Sequence, residues 1–387
     1  MLMTRSTALA AAVAKSKSAT TIATSLGESF AVKAGEFDES DGFVAENYEA
    51  IRAAGLLAAA VPEELGGMGT SYPELCDMLR ILAHHCSSTA LALSMHTHQV
   101  AIPAWRWRHQ KIAAVEPLLK RVAAENLILL SSGGSDWIAG SGKAVKVDGG
   151  YRISARKIFT SGAPIGNLLM TGAVVQEEGK PDMVIHFGVP MKAPEVKILD
   201  TWRTMGMRAT GSQDVLIEGL FIPDSAVAMT RKAGEWHPVF QIIATIAFPL
   251  VYGVYLGVAE SARDIAIGMA KKRLSTHHVV DLAGRIDTEL RAAQMAHRSM
   301  VEAVEHNAPS AESVNDVMIG RTLVAQHAIK SVELAMELAG GAGFYRSHGL
   351  ERRFRDVQGA RFHPLQSGPQ AQYAGAMALG LPVATVF

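Results

Sequence analysis

Helical periodicity fills both ends of this chain and stops in the middle, and few folds accommodate that order. Up to residue 126, Ala and Leu recur at helical spacing, as in Tyr48-Glu49-Ala50-Ile51-Arg52-Ala53-Ala54-Gly55-Leu56-Leu57, until Gly66-Gly67-Met68-Gly69 interrupts. Over 127–232, short runs of Val, Ile, Leu and Phe alternate with clusters of Gly, Pro and Asp. Asp148-Gly149 is a turn signal ahead of Tyr151-Arg152-Ile153-Ser154, and Asp214-Val215-Leu216-Ile217-Glu218-Gly219-Leu220-Phe221-Ile222-Pro223 is a strand-like unit closed by proline. No long helical pattern separates these runs, so an antiparallel sheet or barrel is expected rather than βαβ units. Helical spacing returns over 241–273, 279–307 and 313–338, with a shorter segment ending near Leu381, which predicts an up-down bundle. The expected fold class is α+β, mainly α. It comprises an N-terminal helical domain (1–126), a middle antiparallel β-barrel or sheet domain (127–232) and a C-terminal four-helix bundle (233–387).

Composition narrows the function classes. A chain of 387 residues that is 49% apolar and 19% charged has material for a large core and for subunit interfaces. Basic and acidic side chains balance at 37 each, so no global field favours nucleic acid or an anionic membrane. The two cysteines, Cys76 and Cys86, form neither a disulfide framework nor a CxxC site, which suits a reducing cytoplasm. No apolar run is expected to span a bilayer. The N-terminal apolar stretch 8–14 runs into Lys15 and reads as an ordinary first helix rather than a secretory signal. Gly142-Lys143 lacks the spacing of a P-loop, there is no HExxH, and His84-His85 alone does not make a metal site.

Three stretches carry chemistry, and they lie in a telling order. The first is Gly134-Ser135-Asp136 followed by Gly150-Tyr151-Arg152-Ile153-Ser154-Ala155-Arg156-Lys157-Ile158-Phe159-Thr160-Ser161-Gly162. The second is Trp202-Arg203-Thr204-Met205-Gly206-Met207-Arg208-Ala209-Thr210-Gly211-Ser212. The third is Gly340-Gly341-Ala342-Gly343-Phe344 with Arg355-Asp356-Val357-Gln358-Gly359-Ala360-Arg361-Phe362-His363-Pro364-Leu365. Together, from about residue 45 to the end, they resemble the acyl-CoA dehydrogenase superfamily.

That resemblance implies a flavin, FAD or FMN, held between the β-domain and the C-terminal helices, in a homotetramer. It assigns cofactor contacts to Ser131, Ser132, Phe159, Thr160, Ser161, Arg273, Gly340, Gly341 and Gly343. Each of these also has a plainer reading. Strand hydroxyls satisfy local hydrogen bonds, Lys271-Lys272-Arg273 complements a helix C-terminus, and the glycines cap a helix.

The resemblance breaks at the residue a dehydrogenase needs most. In the family a glutamate after the Arg-Asp pair removes the substrate α-proton; here His363-Pro364 follow Phe362, and no acid comes after them. Some relatives carry the base on the first bundle helix, but Ile246-Ala247-Phe248-Pro249-Leu250-Val251-Tyr252-Gly253 is free of acids and Glu260 lies beyond it. Glu337 stands where many FAD-binding members have glutamine, which favours FMN or loosely held reduced flavin.

The chain therefore resembles the superfamily's two-component monooxygenases. These take reduced flavin from a separate reductase and oxygenate a small apolar or aromatic substrate through a C4a-(hydro)peroxyflavin. The resemblance implies catalytic roles for Ser161 and His363, with His96 and His98 as a second histidine site. Imidazoles suit the work because they titrate near neutrality. On a helix His96 and His98 point in different directions, so one at most faces a pocket. Trp105, Trp107 and Phe248 are candidates for a pocket lining, with core packing as the alternative. Two other functions remain open at this point: an acyl-CoA dehydrogenase with a displaced base, and a non-catalytic flavin-binding relative.

Overall fold

The computed structural model describes residues 18–271, 277–306 and 308–383. The N-terminal stretch 8–14 and Arg273 lie outside these residues. Among the described residues, five helices open the fold: α1 (Ala19–Ser40), α2 (Ala45–Ala53), α3 (Tyr72–His85), α4 (Ser87–Gln110) and α5 (Glu116–Glu125). Their starts follow local chemistry. Ser18 Oγ accepts from Thr21 N–H at the head of α1, and Ser71 Oγ does the same for Glu74 at the head of α3, where Pro73 occupies the first turn.

Eight strands follow: β1 (Leu129–Ser131), β2 (Lys143–Val147), β3 (Gly150–Thr160), β4 (Leu168–Val175), β5 (Met183–Pro190), β6 (Val196–Leu199), β7 (Gln213–Pro223) and β8 (Met229–Lys232). They form one sheet in the order β6-β7-β3-β2-β4-β5-β8, with β1 beside β4. Asp148-Gly149 turns β2 back onto β3, with Gly149 at φ 72°. The sheet departs from the antiparallel expectation in two places, because β1 and β2 both pair with β4 in parallel. β5 covers one edge of β4, so β1 and β2 follow each other along the other edge, and the turn motif between them carries the chain onward instead of hairpinning back, a course that the local sequence does not signal.

Three long helices then pack side by side: α6 (Val239–Ala270), α7 (His277–His306) and α8 (Ala311–Ala339). A capping box at Ser310 and Ser313 starts α8. The expected fourth helix is two short ones, α9 (Leu350–Val357) and α10 (Ser367–Leu379), separated by a 3₁₀ turn over Gln358–Arg361. Contrary to the sequence expectation, α6 is long and apolar enough by composition to cross a membrane. The fold uses it otherwise: 89% of its most apolar window is buried, wrapped by α3, α4, α7, α8 and α9. A helix apolar all round belongs at the centre of a bundle.

The Arg-Asp pair sits on α9 and ties the three parts of the chain together. The buried Asp356 carboxylate accepts from Ser87 Oγ at the start of α4 and, at 2.5 Å, from the N–H of Met207 between β6 and β7. Arg355 reaches Asp38 on α1 (2.5 Å) and Glu351 (2.7 Å), and donates to Met205 O (2.8 Å). Gly206 is required between them, since a Cβ there would fall 2.3 Å from Arg355 O. Asp356→Ala would strand two buried donors and is expected to cost about 2–4 kcal/mol. Asp356→Asn, which keeps one acceptor oxygen, should lose less. Urea unfolding midpoints measure both, and two variants as stable as the parent would contradict this account of the clamp.

Candidate active site

Beyond the 3₁₀ turn that follows α9, the chain carries His363 onto the α6–α8 surface. Arg321, on α8 and 2% exposed, donates through Nη2 to Ala360 O (2.9 Å) and His363 O (3.3 Å) and through Nε to Tyr252 Oη (2.7 Å). Tyr252, on α6, donates in turn to Ala360 O at 2.8 Å. One helix turn on, Tyr255 Oη lies 2.6 Å from His363 Nε2. Burial, then Arg321, then His98 push the His363 imidazole down to about 3, so it is uncharged at neutral pH. No carboxylate is among the groups that act on it.

Pro364, next in the chain, packs against the turn after β1; a Cβ on Gly134 would fall 2.8 Å from its Cγ. This contact seats the residue after His363 on the turn, and Gly133 of the same turn lies against Phe159 at the end of β3. The turn is held from below. Ser132 donates to Asp136, whose carboxylate pairs at 3.1 Å with the fully buried Lys157, and Lys157 also donates to Ser141 and Gly172 O. Arg231 donates to Ile138 O at 2.6 Å.

At the end of β3 the side chains diverge. Phe159, at φ 55° and 52% exposed, meets Trp202 edge-on with centroids 5.6 Å apart. Thr160 is fully buried and its hydroxyl has no hydrogen-bond partner. Ser161 begins a hydroxyl chain: Ser161 Oγ to Ser212 Oγ (2.7 Å), Ser212 to Thr210 Oγ1 (2.7 Å), and Thr210 onward to Met207 O (2.9 Å).

Several sequence expectations need correction. His96 donates from Nε2 to Leu57 O (2.8 Å) and accepts at Nδ1 from Leu129 N–H (3.0 Å), so it pins β1 to the helical domain and has no nitrogen free for chemistry. His98 points the other way and acts electrostatically on His363. Its nitrogens are also engaged, Nδ1 with Ser94 O (3.0 Å) and Nε2 with Gln99 (3.3 Å). The Ser132 hydroxyl is held by Asp136 and Thr171, so it anchors the turn. Gly340, Gly341 and Gly343 close α8: the Gly340 N–H bonds back to Glu337 O, and Gly343 packs on Ala339 and Leu350. Trp105 stacks on His109 and Trp107 donates to Glu116. Phe248 alone of that trio joins the aromatic wall, 5.6 Å from Trp137 and 6.4 Å from Tyr252.

Sequence reasoning missed Tyr252, Tyr255 and Arg321. The available signal was two tyrosines three residues apart in an otherwise apolar helix, and one arginine on the buried face of α8. The residues present fit a flavin. Thr160 offers a buried hydroxyl that lacks a partner, the Ser161 chain offers another, and Phe159 with Trp202 forms an aromatic face open to a planar ring.

Buried neutral histidines also give the fold an acid limit. Burial holds His96, His98 and His186 down to about 4 and His363 down to about 3, against about 6.5 in an unfolded chain. Below pH ~6.5 the unfolded chain binds protons that the folded chain refuses. Stability from these groups is therefore full above that pH and lost as pH falls, by up to about 1.4 kcal/mol per unit for each histidine. Urea unfolding between pH 7.5 and 5 should show this slope, and His96→Gln should make it shallower; an unchanged slope in that variant would refute the assignment.

The comparisons with known proteins agree with this geometry. Residues 17–120 match the family model for the acyl-CoA dehydrogenase N-terminal domain, 131–220 that for the middle domain and 250–367 that for the C-terminal domain. Amino sugar nitrososynthase DnmZ of Streptomyces peucetius is 29% identical over 353 residues, covering 86% of each chain. Dibenzothiophene monooxygenase of Mycolicibacterium goodii is 25% identical over 362 residues, covering 85% of this chain and 86% of its own. The structure of KijD3 in complex with FMN and dTDP-3-amino-2,3,6-trideoxy-4-keto-3-methyl-D-glucose superposes with a TM-score of 0.86 at 25% identity, covering 95% of each chain. Matched in order across its N-terminal, middle and C-terminal parts, the chain belongs to the acyl-CoA dehydrogenase family, and its relatives there include monooxygenases and nitrososynthases.

Proposed function

We propose that the protein is a monooxygenase that uses reduced flavin and dioxygen to oxygenate a small molecule. The observation that carries this reading is that the charged and titratable groups around His363 are Tyr252, Tyr255, Arg321 and His98, with no carboxylate among them. Asp356, the nearest acid in sequence, is taken up by Ser87 and Met207. When bound, reduced flavin supplies the electrons by which one atom of dioxygen goes to the substrate and the other to water.

The protein's own residues bind and orient. Thr160 and Ser161 would offer hydroxyls to a bound flavin, Phe159 and Trp202 would supply aromatic contact for its ring, and His363 would serve the reaction. Ser131 borders the site beside Met95, where its hydroxyl lies 3.9 Å from the thioether. Trp137, Phe248 and Tyr252 offer an aromatic wall to an apolar or aromatic substrate. Similarity to an amino sugar nitrososynthase favours a second reading of the acceptor atom, an amine nitrogen. FMN is the flavin favoured, since KijD3 holds it. We further place the protein in the cytoplasm, as a three-domain homotetramer supplied by a separate reductase. Its two free, buried thiols and the exposed Val280, Met295, Ile319 and Leu323 on α7 and α8 support that setting.

The test begins with binding. Chemically reduced FMN titrated anaerobically should bind. Ser161→Ala and Thr160→Val should each weaken it by about tenfold, the loss of one hydrogen bond. Turnover with reduced FMN under ¹⁸O₂ should then place label in the product of an amine or aromatic substrate. Bleaching of bound oxidised flavin by an acyl-CoA, with no reductase present, would overturn the reading in favour of a dehydrogenase.

A further inference from the structure

His363 and Tyr255 hold each other in a way that decides which hydrogen the histidine carries. Tyr255 is fully buried on α6, and its hydroxyl has one hydrogen-bond partner, His363 Nε2 at 2.6 Å. The neighbouring oxygen, Tyr252 Oη, is already engaged with Arg321 and Ala360 O. The turn Gln358–Arg361 closes over the phenol so tightly that a Cβ on Gly359 would lie 2.7 Å from its oxygen. His363 Nδ1 has no protein partner among the described residues.

A neutral imidazole bears one N–H and one lone pair. If Nε2 bore the hydrogen, the phenol oxygen would accept it and the phenol O–H would be left buried with no acceptor. Such a stranded donor costs about 1–3 kcal/mol. If the phenol donates to Nε2, both groups are satisfied and the imidazole hydrogen sits on Nδ1. We infer that Tyr255 is the positioning residue that fixes His363 as its Nδ1–H tautomer, so that the histidine meets the reacting molecule as a hydrogen-bond donor and not as a base. The functional half of this inference rests on the reading of His363 under Proposed function.

The surroundings agree. The titratable and charged groups that face His363 are Tyr252 and Tyr255 from α6, Arg321 from α8 and His98 from α4. Two of these, Arg321 and His98, join burial in opposing a second proton on the ring. The lone pair lies on Nε2 under the phenol, where no substrate proton can reach it. What remains is a neutral N–H, held in place by Tyr255 and by the Arg321 contacts to the carbonyls of Ala360 and of His363 itself. Such a donor stabilises negative charge growing on an oxygen without itself changing charge.

The test reads the tautomer directly, in the full-length protein without flavin. Two-bond ¹H–¹⁵N correlation on [¹⁵N]histidine-labelled protein should give His363, identified by its loss in His363→Gln, a protonated Nδ1 and a bare Nε2, unchanged from pH 6 to 8. Tyr255→Phe, which removes only the hydroxyl, should move the hydrogen to Nε2, the tautomer free histidine favours. A hydrogen on Nε2 in the parent protein, or an unaltered pattern in Tyr255→Phe, overturns the inference. Should Tyr255→Phe fail to fold, the parent spectrum decides alone. Failure of the underlying function looks different: the expected spectrum together with full turnover by His363→Gln upholds the tautomer and removes His363 from the chemistry.

Discussion

A single buried carboxylate holds this architecture in register. Asp356 is shut away from water, and burial pushes its pKa up, so it persists in place only because Ser87 and the Met207 N–H donate to it. Those donors come from the helical domain and from the β-domain, while Asp356 itself belongs to the C-terminal helices. One side chain thus sets the relative position of all three parts. The residues that follow it, from the Gln358–Arg361 turn to His363, inherit that position.

The same economy governs the floor of the site. Helix α6 is almost wholly apolar, which lets it run through the centre of the bundle, and its polar exceptions are therefore consequential. Tyr252 and Tyr255 present hydroxyls to the His363 segment, and Arg321 reaches across from α8 to the same carbonyls. A buried guanidinium without a carboxylate partner is costly in isolation. Here its donors meet a phenol and two backbone oxygens, and burial together with its charge leaves the imidazole beside it neutral. The site is consequently one of hydrogen-bond donors and hydroxyls, with the carboxylates kept elsewhere. That bias suits stabilisation of negative charge on oxygen better than removal of a proton from carbon.

The turn after β1 makes the complementary surface. Asp136 is held by buried Lys157 while it accepts from Ser132, and Arg231 grips the carbonyl of Ile138. With the loop fixed from within, Pro364 can rest on Gly134, which joins the β-domain to the segment that carries His363. Rigid support of this kind is what a cofactor edge needs from a loop.

By itself, the sequence determined the order of helical, β and helical parts, because hydrophobic period is a local property legible in windows of ten to twenty residues. It determined the family, through three motifs in order, and the absence of an acid where a dehydrogenase base would stand. It also singled out Ser161 and His363, whose near neighbours Phe159 and Pro364 pack on Gly133 and Gly134 of one turn. Only the tertiary structure decided between equivalent local signals. His96 and His98 look alike in sequence, yet one pins β1 and the other faces His363, since the direction of each ring depends on what packs against α4. The parallel pairings of β1 and β2 with β4, the burial of α6 and the two short helices in place of a single fourth one all depend on partners far along the chain. Tyr255 and Arg321 were invisible for the same reason. A tyrosine in an apolar helix and an arginine in the next bundle helix acquire meaning only when a turn more than a hundred residues from the first lays its histidine between them.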